Sequence, residues 1–388
     1  MNLILFDDPA IRTDLLPFTF TRPVAKIRVG ILTIAEKWER WLNASASFKT
    51  ESYLQQKFKM ISSGDNLLIN GGVCPDDKLV SAVKSLPAGK FLVKDSLLIA
   101  ARKPAPEMND SNTVEYKDPV TVIEKTWNIF RENAAQIKID FQLITAGRTS
   151  AGIKDKHTVV YGEENLFVEE GVDVKAAIIN AENGPVYLGK NSIVQEGAII
   201  RGSFALCEGG HINMGAKMRG DITVGPYSKI GGEVSTSVIF GYSNKAHDGF
   251  MGCTVMGEWC NLGADSNTSN LKNNYDTVRM WSHAKEHYID TGLQFCGLML
   301  GDHSKCGINT MFNTGTTIDV FSHVFGAGFP PNYIPSFSWG SADKLTTYQL
   351  DKALETAAKV MARRNVEMND IEKDILKKIF ELSAGSRT

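Results

Sequence analysis

The sequence predicts a short α/β domain followed by an all-β parallel β-helix, with helices at the carboxyl end. Three observations support this. Strand and helix patterns alternate over the first 150 residues, an apolar residue recurs every six positions through the middle of the chain, and helical spacing returns near the end. We therefore expect an α/β domain over 1–150, a β-helix over 151–341 and a helical cap over 342–388.

In the first domain, short apolar runs at Asn2–Phe6 and Leu67–Asn70 indicate strands. Apolar residues from Ile31 to Leu42 lie on one helical face, and Thr33-x-x-Glu36 matches a capping box at its start. A hairpin is expected around Asp95-Ser96. This alternation favours a sheet rich in parallel strands.

The period of six is clearest from Val186 onward, and its apolar third positions are Leu188, Val194, Ile200, Leu206, Ile212, Met218, Val224 and Ile230. This period fits neither an amphipathic helix nor a lone strand, but it fits a solenoid with one hexad on each side of a triangular coil. The period returns at Leu300, Cys306, Phe312, Ile318 and Val324. The polar stretch 267–288 interrupts it and predicts a loop leaving the coil, where binding sites often lie.

The carboxyl tail shows helical spacing of apolar residues in two stretches, one from Leu350 to Met361 and one from Ile371 to Phe380. Two amphipathic helices are therefore expected. Because a solenoid leaves its last coil open, we expect these helices to cap it.

Composition excludes several classes of function. The 388 residues include 42 Lys+Arg and 44 Asp+Glu, a net charge of −2 that gives no overall field for nucleic acid or an anionic membrane. No apolar run approaches the roughly 20 residues of a membrane helix. The start of the chain has two acids and no basic region, so no secretory signal is expected. The six cysteines form no CxxC pair, so we expect a cytoplasmic protein with reduced thiols.

Polar motifs in the solenoid suggest a functional class. The segments Ser243-Asn244-Lys245-Ala246-His247, Asn261-Leu262-Gly263-Ala264 and Asn273-Asn274-Tyr275-Asp276 follow one another on the hexapeptide repeat. This order resembles the acetyltransferase half of the GlmU family, bifunctional uridylyltransferases and acetyltransferases of amino-sugar phosphates. The segments Leu16–Pro23 and Arg28–Trp38 are similar to the divergent GlmU-like proteins of the Bacteroidetes. The resemblance implies a left-handed β-helix and a homotrimer.

The resemblance also implies residue roles in acetyl transfer from acetyl-CoA to glucosamine-1-phosphate. His247 matches the general base, a role for which an imidazole titrating near neutral pH is suited. Asn274 and Tyr275 match residues that hold the sugar phosphate, Arg219 matches a phosphate-binding arginine, and Lys245 is a second candidate cation. The spacing from Lys245 to His247 is one residue shorter than in the family.

For the first domain, the resemblance implies nucleotidyl transfer from UTP to a sugar 1-phosphate, giving a UDP-sugar. The Gly-rich phosphate loop of ordinary nucleotidyltransferases is replaced by residues 6–12, which contain no glycine. The phosphate-binding candidates are therefore the side chains of Arg12, Arg22, Lys26 and Arg28. If Mg²⁺ is required, Asp7 or Asp8 would be its ligand, because a hard cation prefers carboxylate oxygens.

Two other functions fit parts of the pattern. A trimeric scaffold that binds a nucleotide sugar without turnover would explain the missing Gly-rich loop. A zinc enzyme like the γ-class carbonic anhydrases would need three histidines, and His283-x-x-x-His287, with His303 and His323 downstream, gives the candidates. The close-set histidine pattern of that class is not reproduced.

Overall fold

The computed structural model describes residues 2–103 and 107–387. Its N-terminal domain is built on a six-stranded mixed sheet in the order β2-β1-β3-β6-β5-β7. β1 is parallel to both neighbours, whereas β6 is antiparallel to both of its own. The strands of this domain are β1 (Asn2–Phe6), β2 (Ala46–Lys49), β3 (Asn66–Asn70), β4 (Val73–Cys74), β5 (Phe91–Lys94), β6 (Leu97–Lys103), β7 (Thr113–Glu115) and β8 (Thr121–Val122). Its helices are α1 (Pro9–Asp14), α2 (Ile34–Leu42), α3 (Asp77–Ser85), α4 (Asn128–Arg131) and α5 (Asn133–Thr145).

Local signals in the sequence explain these elements. The Thr33 hydroxyl accepts a hydrogen bond from the Glu36 N–H, and the Glu36 carboxylate accepts one from the Thr33 N–H, which confirms the capping box. The hairpin between β5 and β6 turns at Asp95, whose φ of +52° is a conformation that Asp tolerates. The parallel character of the sheet is confined to β2-β1-β3 and to the β5-β7 pair.

The middle of the chain is a parallel β-helix with three faces. The first face is a nine-stranded sheet made of Leu166–Val168, Val186–Leu188, Phe204–Leu206, Ile222–Val224, Val238–Gly241, Val255–Glu258, Met299–Leu300, Thr317–Ile318 and Tyr333–Ile334. The second face contains Asp173–Val174, Ile193–Val194, His211–Ile212, Lys229–Ile230 and Asn244–Lys245, continues through bridges at Asn261, and ends with Lys305–Cys306, His323–Val324, Ser338–Gly340 and Leu345–Thr347. The third face contains Val159–Tyr161, Ile178–Asn180, Ile199–Arg201, Lys217–Met218, Glu233–Ser235, Phe250–Gly252, Asn267–Thr268 and Met311–Phe312.

The hexad prediction is confirmed by burial. The eight third-position residues from Leu188 to Ile230 are all buried in the interior of the coil, and so are the five from Leu300 to Val324. Each full coil places one such residue on each face, so a period of six along the sequence becomes a continuous apolar column in space.

The chain leaves the coil after residue 268, as predicted, but the excursion contains a hairpin that the sequence did not predict. Strands Arg279–Ser282 and His287–Asp290 pair antiparallel, and Asn267–Thr268 still belongs to the coil. Val278 and Met280 are buried in the core of the N-terminal domain, and the Thr126 hydroxyl lies 3.4 Å from the Met280 sulfur. The hairpin therefore attaches the solenoid to the first domain.

One corner of the solenoid carries a ladder of stacked rings. The turn between the first and second faces is occupied, coil after coil, by Tyr227, Tyr242, Trp259, His303, Phe321 and Phe337. Their φ values lie between +53° and +63°. Neighbouring rings are stacked with centroids 4.3–6.3 Å apart. Stacking from coil to coil offsets the cost of the left-handed backbone at these positions.

The C-terminal helices are α6 (Leu350–Ala362) and α7 (Asp370–Leu382). They pack on the ring ladder through Ala357, Met361 and Ile379, and α7 also contacts the N-terminal domain, where Lys57 pairs with Glu372 at 2.6 Å. The helices thus cover a flank of the solenoid and close clefts against it. Among residues 2–103 and 107–387, no helix combines the length and the apolar composition needed to cross a membrane.

Candidate functional site

A cleft of about 710 Å³ lies beside the predicted base, between the second face of the solenoid and the end of α6. We call it the basic cleft. Its basic side chains are His247, Lys229, Lys305, Arg363 and Arg364, and the rest of its lining includes Asn244, Asn261, Tyr242, Trp259 and Ile308. A cavity of this size is typical of a small-molecule site.

His247 lies on the turn that connects the second face to the third, and its side chain is exposed to the cleft. The turn is held from inside the coil by Lys245, which is 1% exposed and donates to the carbonyls of His247 at 2.6 Å and Asp248 at 3.2 Å. Burial lowers the pKa of Lys245 to about 8. Gly249 completes the turn with φ +110°, and a Cβ there would lie 2.2 Å from the Ser266 carbonyl.

Lys245 was a candidate substrate cation, and the structure places it inside the coil. Its contacts indicate that it positions the backbone of the His247 turn. The cations that face the cleft come from other elements, namely the second face and the end of α6.

Arg219, Asn274 and Tyr275 do not lie near His247 within one chain. Arg219 projects from the third face, pairs with Glu233 at 2.9 Å, and lines a separate groove of about 500 Å³ with Phe250 and Phe295. Asn274 donates to Asp276, and Tyr275 is 66% exposed. The Tyr275 carbonyl accepts from Gln294, which also lines this groove. The sugar-phosphate candidates therefore gather at a different corner from the base.

Three of the four predicted phosphate-binding cations of the first domain are buried and already bonded. Arg12 pairs with Asp7 at 2.8 Å and donates to the Thr19 carbonyl. Arg22 donates to both oxygens of Asp302, at 3.2 and 2.5 Å, and to Glu258 at 3.0 Å. The Arg22 bonds join the N-terminal domain to the solenoid.

Arg28 donates to the carbonyls of Phe240 and Ile31. Lys26 is half-buried, with its ammonium 5.1 Å from the centre of the Phe48 ring, and no ion pair involves it among the residues that the structure describes. Arg22, Lys26 and Arg28 line a second cavity of about 390 Å³, the interdomain cleft, between the N-terminal domain, the ring ladder and the C-terminal helices.

The carboxyl ends of β1 and β3, where open α/β sheets usually bind ligands, are covered by the chain itself. The segment Val24–Lys26 lies over them, since a Cβ on Gly71 would lie 3.1 Å from the Ala25 nitrogen and 3.2 Å from the Phe6 carbonyl. The loop after β1 therefore differs from an open phosphate-binding loop.

The residues suggested for Mg²⁺ do not fit that role. The Asp7 oxygens accept from the Val24 N–H, the Thr50 hydroxyl and Arg12. Asp8 caps α1 by accepting from the N–H groups of residues 10 and 11. Burial raises the pKa of Asp7, with Arg12 opposing it.

The histidines considered for zinc are also held in other ways. His283 lies in the turn of the hairpin rather than on a helix, and one of its ring nitrogens is 3.0 Å from Asp319. His303 and His323 are part of the stacked aromatic cluster, where burial lowers the pKa of each. Within the described part of the chain, no three His, Cys, Asp or Glu side chains group as a metal site would require.

Sequence reasoning missed the residues that give the basic cleft its charge: Lys229, Lys305, Arg363 and Arg364. Lys229 and Lys305 sit at the hexad position before the inward-facing residue, so the repeat assigns them to the second face. The adjacent pair Arg363-Arg364 just after an amphipathic helix was a visible signal. The position of this arginine pair against the solenoid depends on how α6 folds back, which the sequence does not specify.

Comparisons with known proteins agree with a GlmU-like transferase. Residues 3–149 match the model of a family described as sugar nucleotidyl transferase. The bifunctional protein GlmU of Methanococcus aeolicus is 30% identical over 86 residues, a match that covers 22% of this chain and 20% of that relative. Together with the solenoid, these findings fit a GlmU-like protein with a left-handed β-helix and a nucleotidyltransferase domain.

Solved structures with partial likeness include a UDP-N-acetylglucosamine acyltransferase from Campylobacter jejuni. It is 13% identical, the match covers 59% of this chain and 96% of that one, and the TM-score is 0.33. PerB from Caulobacter crescentus, solved with CoA and GDP-perosamine, is 10% identical. The match covers 89% of this chain and 97% of that one, with a TM-score of 0.19.

Proposed function

We propose that the solenoid transfers an acyl group from acyl-CoA to the amine of an amino-sugar phosphate in the basic cleft, with His247 as general base. The observation that supports this most directly is the exposed imidazole of His247 on a turn held by Lys245, inside a cleft whose other charged side chains are cationic. Such a cleft suits the phosphates of both substrates.

The transfer is direct. The amine nitrogen attacks the thioester carbonyl, a C–N bond forms and the C–S bond breaks, and the electron pair leaves with the CoA sulfur. His247 accepts the proton lost by the amine and returns it to the departing thiolate. A covalent acyl-cysteine has no support, because all six cysteines are free and buried.

The finer assignment is acetyl-CoA as donor and glucosamine-1-phosphate as acceptor, in a cytoplasmic homotrimer. In that trimer, Arg219, Asn274 and Tyr275 would hold the acceptor bound at a neighbouring subunit's basic cleft, since within one chain they lie at another corner. The N-terminal domain would then couple UTP to the acetylated sugar 1-phosphate, releasing pyrophosphate and completing a step of UDP-N-acetylglucosamine synthesis.

For the nucleotidyl step, the interdomain cleft offers Lys26 as a phosphate contact, because Arg12, Arg22 and Arg28 are already bonded within the protein. The covered ends of β1 and β3 favour a second candidate for this domain alone, namely binding of a nucleotide sugar without turnover. Release of pyrophosphate from UTP would support nucleotidyl transfer, and its absence would support binding of a nucleotide sugar without turnover.

The test of the acyltransferase is release of free CoA from acetyl-CoA and glucosamine-1-phosphate. We expect release by the native chain, a loss of about 10²-fold in His247→Ala, and no change in the matched control His157→Ala, an exposed histidine on an early coil. No release with any amino-sugar phosphate, or equal release by His247→Ala, would contradict the proposal.

A further inference from the structure

The basic cleft has an unbalanced charge. Four cationic side chains line it, Lys229, Lys305, Arg363 and Arg364, and among the described residues that line it none is Asp or Glu. Elsewhere on the chain, surface cations such as Lys78, Arg148 and Lys359 are paired with carboxylates at 2.6–2.7 Å. A group of unneutralised cations around a cavity attracts a multiply charged anion.

The contacts of these four side chains leave most of their hydrogen-bond donors unused. Arg364 donates to the Asn244 side chain at 2.8 Å, and Lys305 donates to the carbonyls of Trp259 and His303. Within residues 2–103 and 107–387, Lys229 and Arg363 make no ion pair. Burial and the adjacent Arg363 lower the pKa of Arg364, as expected of two guanidinium groups without a counter-ion.

The aromatic side chains that line the basic cleft offer a ligand no free ring face for stacking. Tyr242 and Trp259 stack on each other at 4.3 Å, and their outer faces are covered by Tyr227 at 5.3 Å and His303 at 6.3 Å. Because both faces of Tyr242 and Trp259 are covered by neighbouring rings, a nucleobase cannot stack on them. Affinity must then come chiefly from charge-assisted bonds to phosphate oxygens.

We infer that the basic cleft is a nucleotide-diphosphate site in which Arg363 and Arg364, carried by the end of α6, bind the phosphates together with Lys229. The 5′-diphosphate of CoA and the diphosphate of a nucleotide sugar share this chemistry. The inference rests on the proposed function only in naming CoA as the occupant, because binding of a diphosphate does not require turnover.

The alternative role of the two arginines is local. Basic residues after the last turn of a helix stabilise it by interacting with the negative end of its dipole. In that case their removal would lower the thermal stability of the chain and leave affinity for phosphates unchanged. The two roles are therefore separable by measuring both quantities on the same variants.

The experiment is isothermal titration of CoA, UDP-N-acetylglucosamine and pyrophosphate into the native chain and into Arg363→Gln, Arg364→Gln and Lys229→Gln. The matched control is Lys359→Gln, a paired lysine on α6 outside the cleft. We expect each arginine variant to bind about 10-fold more weakly or worse, the control to bind as the native chain does, and added salt to weaken native binding.

Tighter binding of CoA than of the UDP-sugar supports the acyl donor as occupant, and the reverse order supports a nucleotide sugar. Binding that depends on the arginines without any CoA release would retain this site and contradict the acyltransferase. Equal affinities in all variants, arginine variants changed only in melting temperature, or no diphosphate binding at millimolar concentration would overturn the inference.

Discussion

The Arg22→Met variant is expected to lose about 3 kcal/mol of unfolding free energy, because its partner Asp302 would remain buried without a counter-ion. Arg22 is 5% exposed and donates to both Asp302 oxygens and to Glu258. Removing one partner of a buried ion pair costs roughly 3–5 kcal/mol. The lower end applies here, since Asp302 keeps hydrogen bonds from the Thr21 hydroxyl at 2.7 Å and the Glu258 N–H at 2.9 Å.

The loss should depend on pH in a defined direction. Burial raises the pKa of Asp302, and Arg22 opposes that rise. Without Arg22 the pKa rises further, so the folded variant binds a proton that the unfolded chain releases. The deficit of Arg22→Met is therefore largest at neutral pH and shrinks as the pH falls toward 5.

Urea denaturation at pH 7 and pH 5 measures both effects. The control is Arg102→Met, which removes one partner of Asp65 in a surface pair at 3.0 Å and should cost far less than Arg22→Met. If Arg22→Met costs as little as the control, or if its deficit is the same at both pH values, the reasoning that Arg22 joins the two domains through Asp302 is refuted.

Three further predictions concern the solenoid and the six thiols of the chain. Lys245→Met removes the ammonium that holds the His247 turn, so kcat for CoA release should fall about 10-fold or more with a smaller change in KM; an unchanged kcat would exclude the positioning role. Burial lowers the pKa of Lys305 to about 8, so the folded chain binds fewer protons than the unfolded chain between pH 8 and 10. Native stability should then rise with pH relative to Lys305→Met, by up to about 3 kcal/mol, in denaturation series at pH 7 and 10. The cysteines are all buried, and burial raises the pKa of Cys207 to about 11 and that of Cys74 to about 12. A thiol reagent should label none of them rapidly in the native chain and all of them after denaturation; fast labelling of one native thiol would contradict the burial.

The sequence was sufficient to predict the solenoid and much of the first domain because those features depend on local patterns. An apolar residue every six positions can be buried continuously only in a triangular coil, and the residues from Leu188 to Ile230 are buried as that argument requires. The capping box of Thr33 and Glu36 involves residues three apart, so it is readable without knowing the fold.

The environments of the predicted site residues could not be read in this way. Nothing in the sequence around Arg22 indicates that its partner is Asp302, which lies 280 positions later. Lys245 belongs to a motif that suggested substrate contact, but its position in the repeat directs its side chain into the interior of the coil. The hairpin around 279–290 lacks the hexad period because its apolar residues pack against the N-terminal domain instead of the coil.

The clefts themselves arise from packing between distant elements. The basic cleft exists because α6 folds back along the ring ladder and brings Arg364 to Asn244, 120 positions earlier in the chain. Amphipathic spacing predicts that α6 has an apolar face, but it does not specify which flank of the solenoid that face covers.

The measurement that tests the central claim most directly is mass analysis of the products after the chain is incubated with acetyl-CoA and glucosamine-1-phosphate. The account predicts an N-acetylated sugar phosphate formed in equal amount to free CoA, no acetyl group left on the protein, and loss of the product in His247→Ala but not in His157→Ala. An acetylated protein side chain as intermediate, or no acetylated product from any amino-sugar phosphate, would contradict direct transfer at His247.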